Sequence, residues 1–126
     1  MRRDTDRGFA TIQFVVGVGL TLVMFTLLAN VVVAHWTRGV VRASLDEGVR
    51  AGARDPNATA VCMARVESAL DDYLAGSART GMGGVMCTAD ERMVYAQTTV
   101  TLDGWLPGTG SWTTTLRAAA AREPDP

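Results

Sequence analysis

The chain has 126 residues, a mass of 13.4 kDa and a formal net charge of −1. That length has room for one domain, and the near-neutral balance, with arginine and acid interspersed, excludes a basic nucleic-acid-binding surface. All 12 basic residues are arginine, and no Asp, Glu, Lys or Arg occurs between Arg7 and Arg38, so an uncharged segment divides a short leader from a polar remainder.

Residues 9–34 are apolar apart from Thr11, Gln13, Thr21, Thr26 and Asn30. As a helix they span roughly 39 Å at 1.5 Å per residue, longer than the hydrocarbon core of a bilayer, so the segment crosses with some tilt. Five scattered polar side chains are too few to solvate one face, which excludes an ordinary amphipathic surface helix. His35 and Trp36 close the run, and the indole suits the headgroup layer. His35 is the only histidine, so it reads as an interfacial residue. No metal and no cofactor are expected.

Orientation is not settled by charge, because Arg2, Arg3 and Arg7 precede the segment while Arg38, Arg42, Arg50 and Arg54 follow it. Cys62 and Cys87 lie beyond it, and a matched pair in a small domain fits an oxidising compartment. The expected topology is therefore a cytoplasmic N-terminus and an extracytoplasmic C-terminal domain. Three readings of the segment stand open at this point: a secretory signal cut near Val32, Val33 and Ala34, an uncleaved signal anchor, and a processed helix of a third kind considered below.

Beyond Trp36 the helix continues, because no proline occurs before Pro56 and Val40, Val41, Leu45, Val49 and Ala53 recur at helical spacing. Arg38, Arg42, Asp46 and Arg50 form the opposite face, with Arg42 and Asp46 placed one turn apart as an exposed pair. Gly48 and Gly52 weaken an isolated helix, so they read as a point of close approach, either to a partner helix or in ordinary packing. Asp55 and Pro56 signal a break and restart, Asp55 capping a second helix whose first turn holds Pro56. That helix is expected to reach about Ala75, with Cys62, Val66, Ala69, Leu70 and Tyr73 on its apolar side.

The glycines at 81, 83 and 84 read as a flexible loop. Residues 93–102 alternate, Val94, Ala96, Thr98, Val100 and Leu102 against Tyr95, Gln97, Thr99 and Thr101, as a half-buried strand does. A second strand over residues 111–120 completes a hairpin, with Trp105 and Trp112 as core or hairpin aromatics. The tail from Glu123 is expected to fray. The fold class is thus α+β: a long N-terminal helix continuing into a stalk, a second helix, and a C-terminal antiparallel strand pair. Joining Cys62 to Cys87 ties the second helix to the start of the sheet, a useful restraint for a domain of about 90 residues with a modest core.

Catalytic arrangements are not found. No histidine stands beside a nucleophile, no lysine-bearing phosphate loop occurs, and the neighbours Asp71 and Asp72, like Asp90 and Glu91, read as solvated surface. The chain is not expected to be an enzyme.

Two motifs remain. Arg7, Gly8, Phe9, Ala10, Thr11, Ile12, Gln13 and Phe14 lie where the charged leader meets the apolar run, and they resemble the processing site of type IV prepilin-like proteins. The segment Glu47, Gly48, Val49, Arg50, Ala51, Gly52 and Ala53, following the helix, resembles the stretch found at this point in TadE-like proteins, minor pilins or pseudopilins of tight-adherence (Flp-type) pilus systems. The resemblance implies cleavage between Gly8 and Phe9 by a membrane-embedded prepilin peptidase. Residues 1–8 become a cytoplasmic leader, 9–36 the transmembrane helix and 37–126 a small extracytoplasmic domain, in the membrane or in a pilus. It further implies partners among other pilin or TadE-like subunits and the pilus assembly platform, with Phe9 and Gln13 in helix-to-helix contacts. Gln13 departs from the family, where glutamate is usual; an amide can hydrogen-bond to a neighbour's ammonium but cannot neutralise it. The other function the sequence supports is a signal-anchored binding protein of the cell envelope without a filament role.

Overall fold

The computed structural model describes residues 2–74, 79, 81–103, 108 and 110–124, with backbone only over 2–7. Two helices precede three strands: α1 Arg2–Ala53, α2 Ala58–Tyr73, β1 Met86–Ala89, β2 Met93–Asp103 and β3 Ser111–Ala121. The α+β class is as expected. The chain divides into two compact units, Met1–Val33 and Ala34–Pro126, and α1 contributes to both.

Among the described residues of the first unit, the large apolar side chains of α1 from Phe9 to Val33 are exposed. The hydroxyls of Thr21 and Thr26 donate back to the carbonyls of Gly17 and Leu22, each at 2.9 Å. Such i−4 bonds satisfy the polar atom within the helix itself.

The second unit is built on a three-stranded antiparallel sheet in the order β1-β2-β3. Val94, Ala96, Thr98 and Val100 of β2 are buried on one face, as their alternation requires. Against them pack Val41, Leu45 and Val49 of α1 and Cys62, Val66 and Leu70 of α2. The core therefore lies between the two helices and a single face of the sheet. Tyr95 marks the other face, which is open.

The break between the helices differs from its expected form. Arg54 and Asp55 donate to the carbonyls of Ala51 and Gly52, tightening the last turn of α1. Pro56 then lies in the connecting turn, ahead of α2 instead of in its first turn. Asp55 Oδ1 accepts the N–H of Asn57 at 2.8 Å and so organises the turn without capping the helix. Asn57 occupies the cap position and its side chain makes no capping bond. At the other end Leu74 is extended and buried, its N–H donating to Leu70 O at 2.8 Å. Ala75, the expected last residue, lies outside the described residues. Tyr73 is 61% exposed and does not join the apolar side of α2.

The expected strand pair is extended by β1, in register with Cys87 opposite Ala96. The glycine-rich approach to it is also held. Gly83 donates to Thr99 O at 2.7 Å, Thr101 donates to Gly81 O at 2.9 Å, and Met82 bridges to Val100. On β3, Leu116, Ala118 and Ala120 are half-buried against the core, but Trp112 is 60% exposed and is not a core residue. Trp105 lies outside the described residues. Glu123 is held as well: its N–H donates to Ala53 O at 3.2 Å and its carboxylate pairs with Arg54 at 3.3 Å.

A disulfide joins Cys62 to Cys87, with Cα atoms 6.2 Å apart and a sequence separation of 25. It fastens α2 to β1, and through the loop entropy removed from the unfolded chain it contributes about 3.5 kcal/mol.

Candidate functional site

The surface with the strongest functional character is the exposed side of α1 in the first unit. Phe9, Ile12, Phe14, Val15 and Val16 open it, and Leu27, Leu28, Val31 and Val32 continue it, all exposed. A mainly apolar surface of this extent far exceeds what a soluble monomer tolerates. This helix is long and apolar enough to cross a membrane, and every one of its backbone groups can be satisfied internally, as lipid demands.

The sequence singled out three residues here, and all three lie on this helix. Gly8 has open space around its Cα, Phe9 is 71% exposed, and Gln13 is exposed, its side chain without a hydrogen-bond partner among the described residues. Gly17 and Gly19 likewise have nothing within 4 Å of where a Cβ would stand. The leader residues Arg2, Arg3 and Arg7 belong to the part described by backbone alone, and Met1 lies outside it.

The second motif resolves into packing within the chain. A Cβ on Gly48 would stand 3.0 Å from Cys62 O and overlap Val66 Cγ2; one on Gly52 would stand 2.6 Å from Ala58 O. The close approach is thus that of α2, not of a partner helix. Val49 and Ala53 enter the core. Glu47 Oε1 accepts from Arg65 Nε at 2.9 Å and also from its Nη2, linking the helices at their margin. Both side chains are substantially exposed, so this ion pair is worth under about 1 kcal/mol. Asp46 pairs with Arg50 at 2.9 Å, one turn later, instead of with Arg42.

Two recesses indent the second unit. One of about 380 Å³ opens on the free face of the sheet between Met86, Thr88, Tyr95 and Arg117. The other, about 440 Å³, runs between α1 and β3 and is lined by Gly39, Arg42, Ala43, Asp46 and Arg117. Neither contains a nucleophile beside a general base. Among the described residues no group of three or more His, Cys, Asp or Glu side chains could hold a metal ion.

One carboxylate is electrostatically tuned. Asp90 Oδ1 accepts the backbone N–H groups of Arg92 and Met93, both at 2.7 Å, where β1 turns into β2. These bonds, then the nearby charges of Arg92 and Arg122, hold its pKa below the ordinary aspartate value. The Asp90 N–H also donates to Met93 O at 2.9 Å, just beyond the end of β1, so its role is turn-forming. The sequence had given Asp90 only a solvated role; the run Asp90, Glu91, Arg92 and Met93 before a clear strand was the available turn signal.

No family model, no curated protein and no solved structure matches this chain.

Proposed function

We propose that the chain is a minor pilin or pseudopilin resembling TadE-like proteins, inserted in the cell membrane through residues 9–34, trimmed after Gly8 by a prepilin peptidase, and used in assembling a tight-adherence pilus. The observation that carries the reading is the continuous exposed apolar surface that begins at Phe9, directly after an unobstructed glycine. A helix of this kind is stable in lipid, and it can equally pack beside others of its kind when it leaves the lipid. The disulfide favours an oxidising, extracytoplasmic location for the second unit. With the N-terminus cytoplasmic, the Gly8–Phe9 bond then lies at the membrane face where a prepilin peptidase acts.

Gln13 favours a second reading. Without a carboxylate at this position the helix lacks the charge that pairs with a neighbour's new amino terminus, and a neutral amide is cheaper to hold in lipid. A signal-anchored envelope protein without a filament role needs nothing more.

Intact mass and N-terminal sequencing of the protein extracted from native membranes separate these readings. A chain starting at Phe9 supports the pilin function. A chain starting at Met1 sinks it in favour of a plain anchor, and one starting near His35 shows a cleaved secretory signal.

A further inference from the structure

In the second unit, β3 runs alongside α1 in the same direction. Arg38 Nη2 reaches Thr114 Oγ1 at 3.5 Å near the start of both, and Glu123 donates to Ala53 O at 3.2 Å near their ends. Trp112 precedes Thr114 by two residues, which is about 6.7 Å along a strand, so it stands at the end of this unit where the chain comes in from the apolar run. Ala34 and Trp36 belong to that same end, and Trp36 is 56% exposed. Trp112 is on the core-facing side of the sheet, opposite Leu102, yet neither helix covers it. An indole left open in this way forfeits the burial that normally justifies its size.

The charges at this end have a matching character. Among the described residues, Arg50 and Arg54 of α1 and Arg65 of α2 each hold a carboxylate. Arg38 and Arg42, the first two arginines after the apolar run, hold none. Arg38 Nε is buried and has no acceptor among the described residues, and the contact of its Nη2 with Thr114 is long. Two exposed indoles and two arginines without carboxylate partners, gathered where the chain meets an apolar run, form the combination that a lipid headgroup layer accommodates: rings among the carbonyls, guanidinium on phosphate.

We propose that this end of the second unit docks on the outer headgroup layer of the bilayer, with Trp112 and Trp36 inserted at the interface and Arg38 bound to a lipid phosphate. The proposal rests on the membrane reading of residues 9–34. Chain continuity supports the choice of occupant, because Ala34 directly follows the last residue of the first unit, so however the second unit is turned this end remains close to the membrane boundary. Docking there fixes which faces of the unit stay available, leaving the free face of the sheet for other partners.

The test uses the full chain, with Trp36→Phe and Trp105→Phe, reconstituted in phosphatidylcholine vesicles with and without phosphatidylglycerol. In one set the phosphatidylcholine carries bromine near the carbonyl end of its chains. Flotation on a density gradient reports whether the chain is membrane-bound at all, and Trp112 emission reports docking. The expected result is flotation together with about a twofold loss of Trp112 emission in the brominated vesicles, with a smaller loss after Arg38→Gln in the anionic vesicles only. Flotation with undiminished emission overturns the docking while leaving the membrane reading intact. A chain that does not float overturns both. If the double variant fails to form its disulfide, Trp112→Phe in the otherwise native chain gives the same answer: docking requires the emission lost to bromine per molecule to be smaller than in the native chain, and an equal loss refutes it.

Discussion

Gly17 and Gly19 differ from Gly48 and Gly52 in surroundings alone. All four sit within one helix, yet a methyl group added at the first pair meets nothing, while at the second it meets the backbone of α2. The contrast extends to the apolar side chains. Val23 and Leu28 are exposed in the first unit, whereas Val41 and Leu45 are completely buried in the second. Both stretches belong to one α-helix; what differs is the surroundings of their apolar side chains. In residues 34–126 the chain covers its own apolar positions with α2 and β2. In residues 8–33 the large apolar side chains are exposed among the described residues, on a helix long and apolar enough to cross a membrane.

The largest effect that can sharpen this contrast is loss of the cross-link. Cys62→Ser with Cys87→Ser should destabilise the second unit by about 3.5 kcal/mol, read as a lowered denaturation midpoint in detergent, with the helicity of the first unit retained. If both signals fall together, the two units are not energetically separate. Somewhat smaller is Val23→Arg, which adds about 3 kcal/mol to the cost of membrane insertion at mid-helix. It should move the protein from the membrane fraction to the soluble or aggregated one, with an unchanged denaturation midpoint for the second unit. Smaller again is Gly52→Ala, which pushes on Ala58 O and should cost about 2 kcal/mol by overpacking. Gly17→Ala is the matched control and should leave the midpoint unmoved, because its methyl group enters open space; equal effects at both sites would erase the distinction between the two stretches.

Most of the second unit was legible because its elements are periodic. Val41, Leu45 and Val49 on α1 and Val94, Ala96 and Val100 on β2 repeat at the helical and strand periods, and their burial followed. β1 was missed because four residues, Met86, Cys87, Thr88 and Ala89, are too few to show alternation and only Cys87 is buried. Trp112, read as a core or hairpin aromatic, lies in the hairpin and outside the core. Its parity assigns the correct face of the sheet, but parity carries no information on how far the helices extend over that face. The pairing of Asp46 was undetermined in the same way, since Arg42 and Arg50 are each one turn distant and the choice depends on rotamers. As for the candidate site, the apolar run and its polar interruptions were readable directly, because a membrane-length helix is specified by composition. The source of the close approach at Gly48 and Gly52 was not, because a small-residue pair admits any neighbouring helix, and only the tertiary fold identifies it as α2.

Asp90 offers the smallest and most selective probe of the same division. Residues 8–33 contain no ionisable side chain, so no pH response of the native fold arises in that stretch. In the folded protein the Asp90 pKa lies below its ordinary value, because the N–H groups of Arg92 and Met93 bind the charged form. The folded state therefore takes up its proton at lower pH than the unfolded state does. The stabilisation is complete above the unfolded aspartate value, near pH 4, and is lost as the pH falls through the depressed folded value. Asp90→Asn keeps a weaker acceptor and has no charge to lose. The native protein should consequently show a higher denaturation midpoint than the variant at neutral pH, and the gap should close below about pH 4. Because Asp90 is fully exposed, the gap will be modest, but its pH window identifies it: a gap that persists at low pH would assign the difference to the shape of the turn and not to the carboxylate charge.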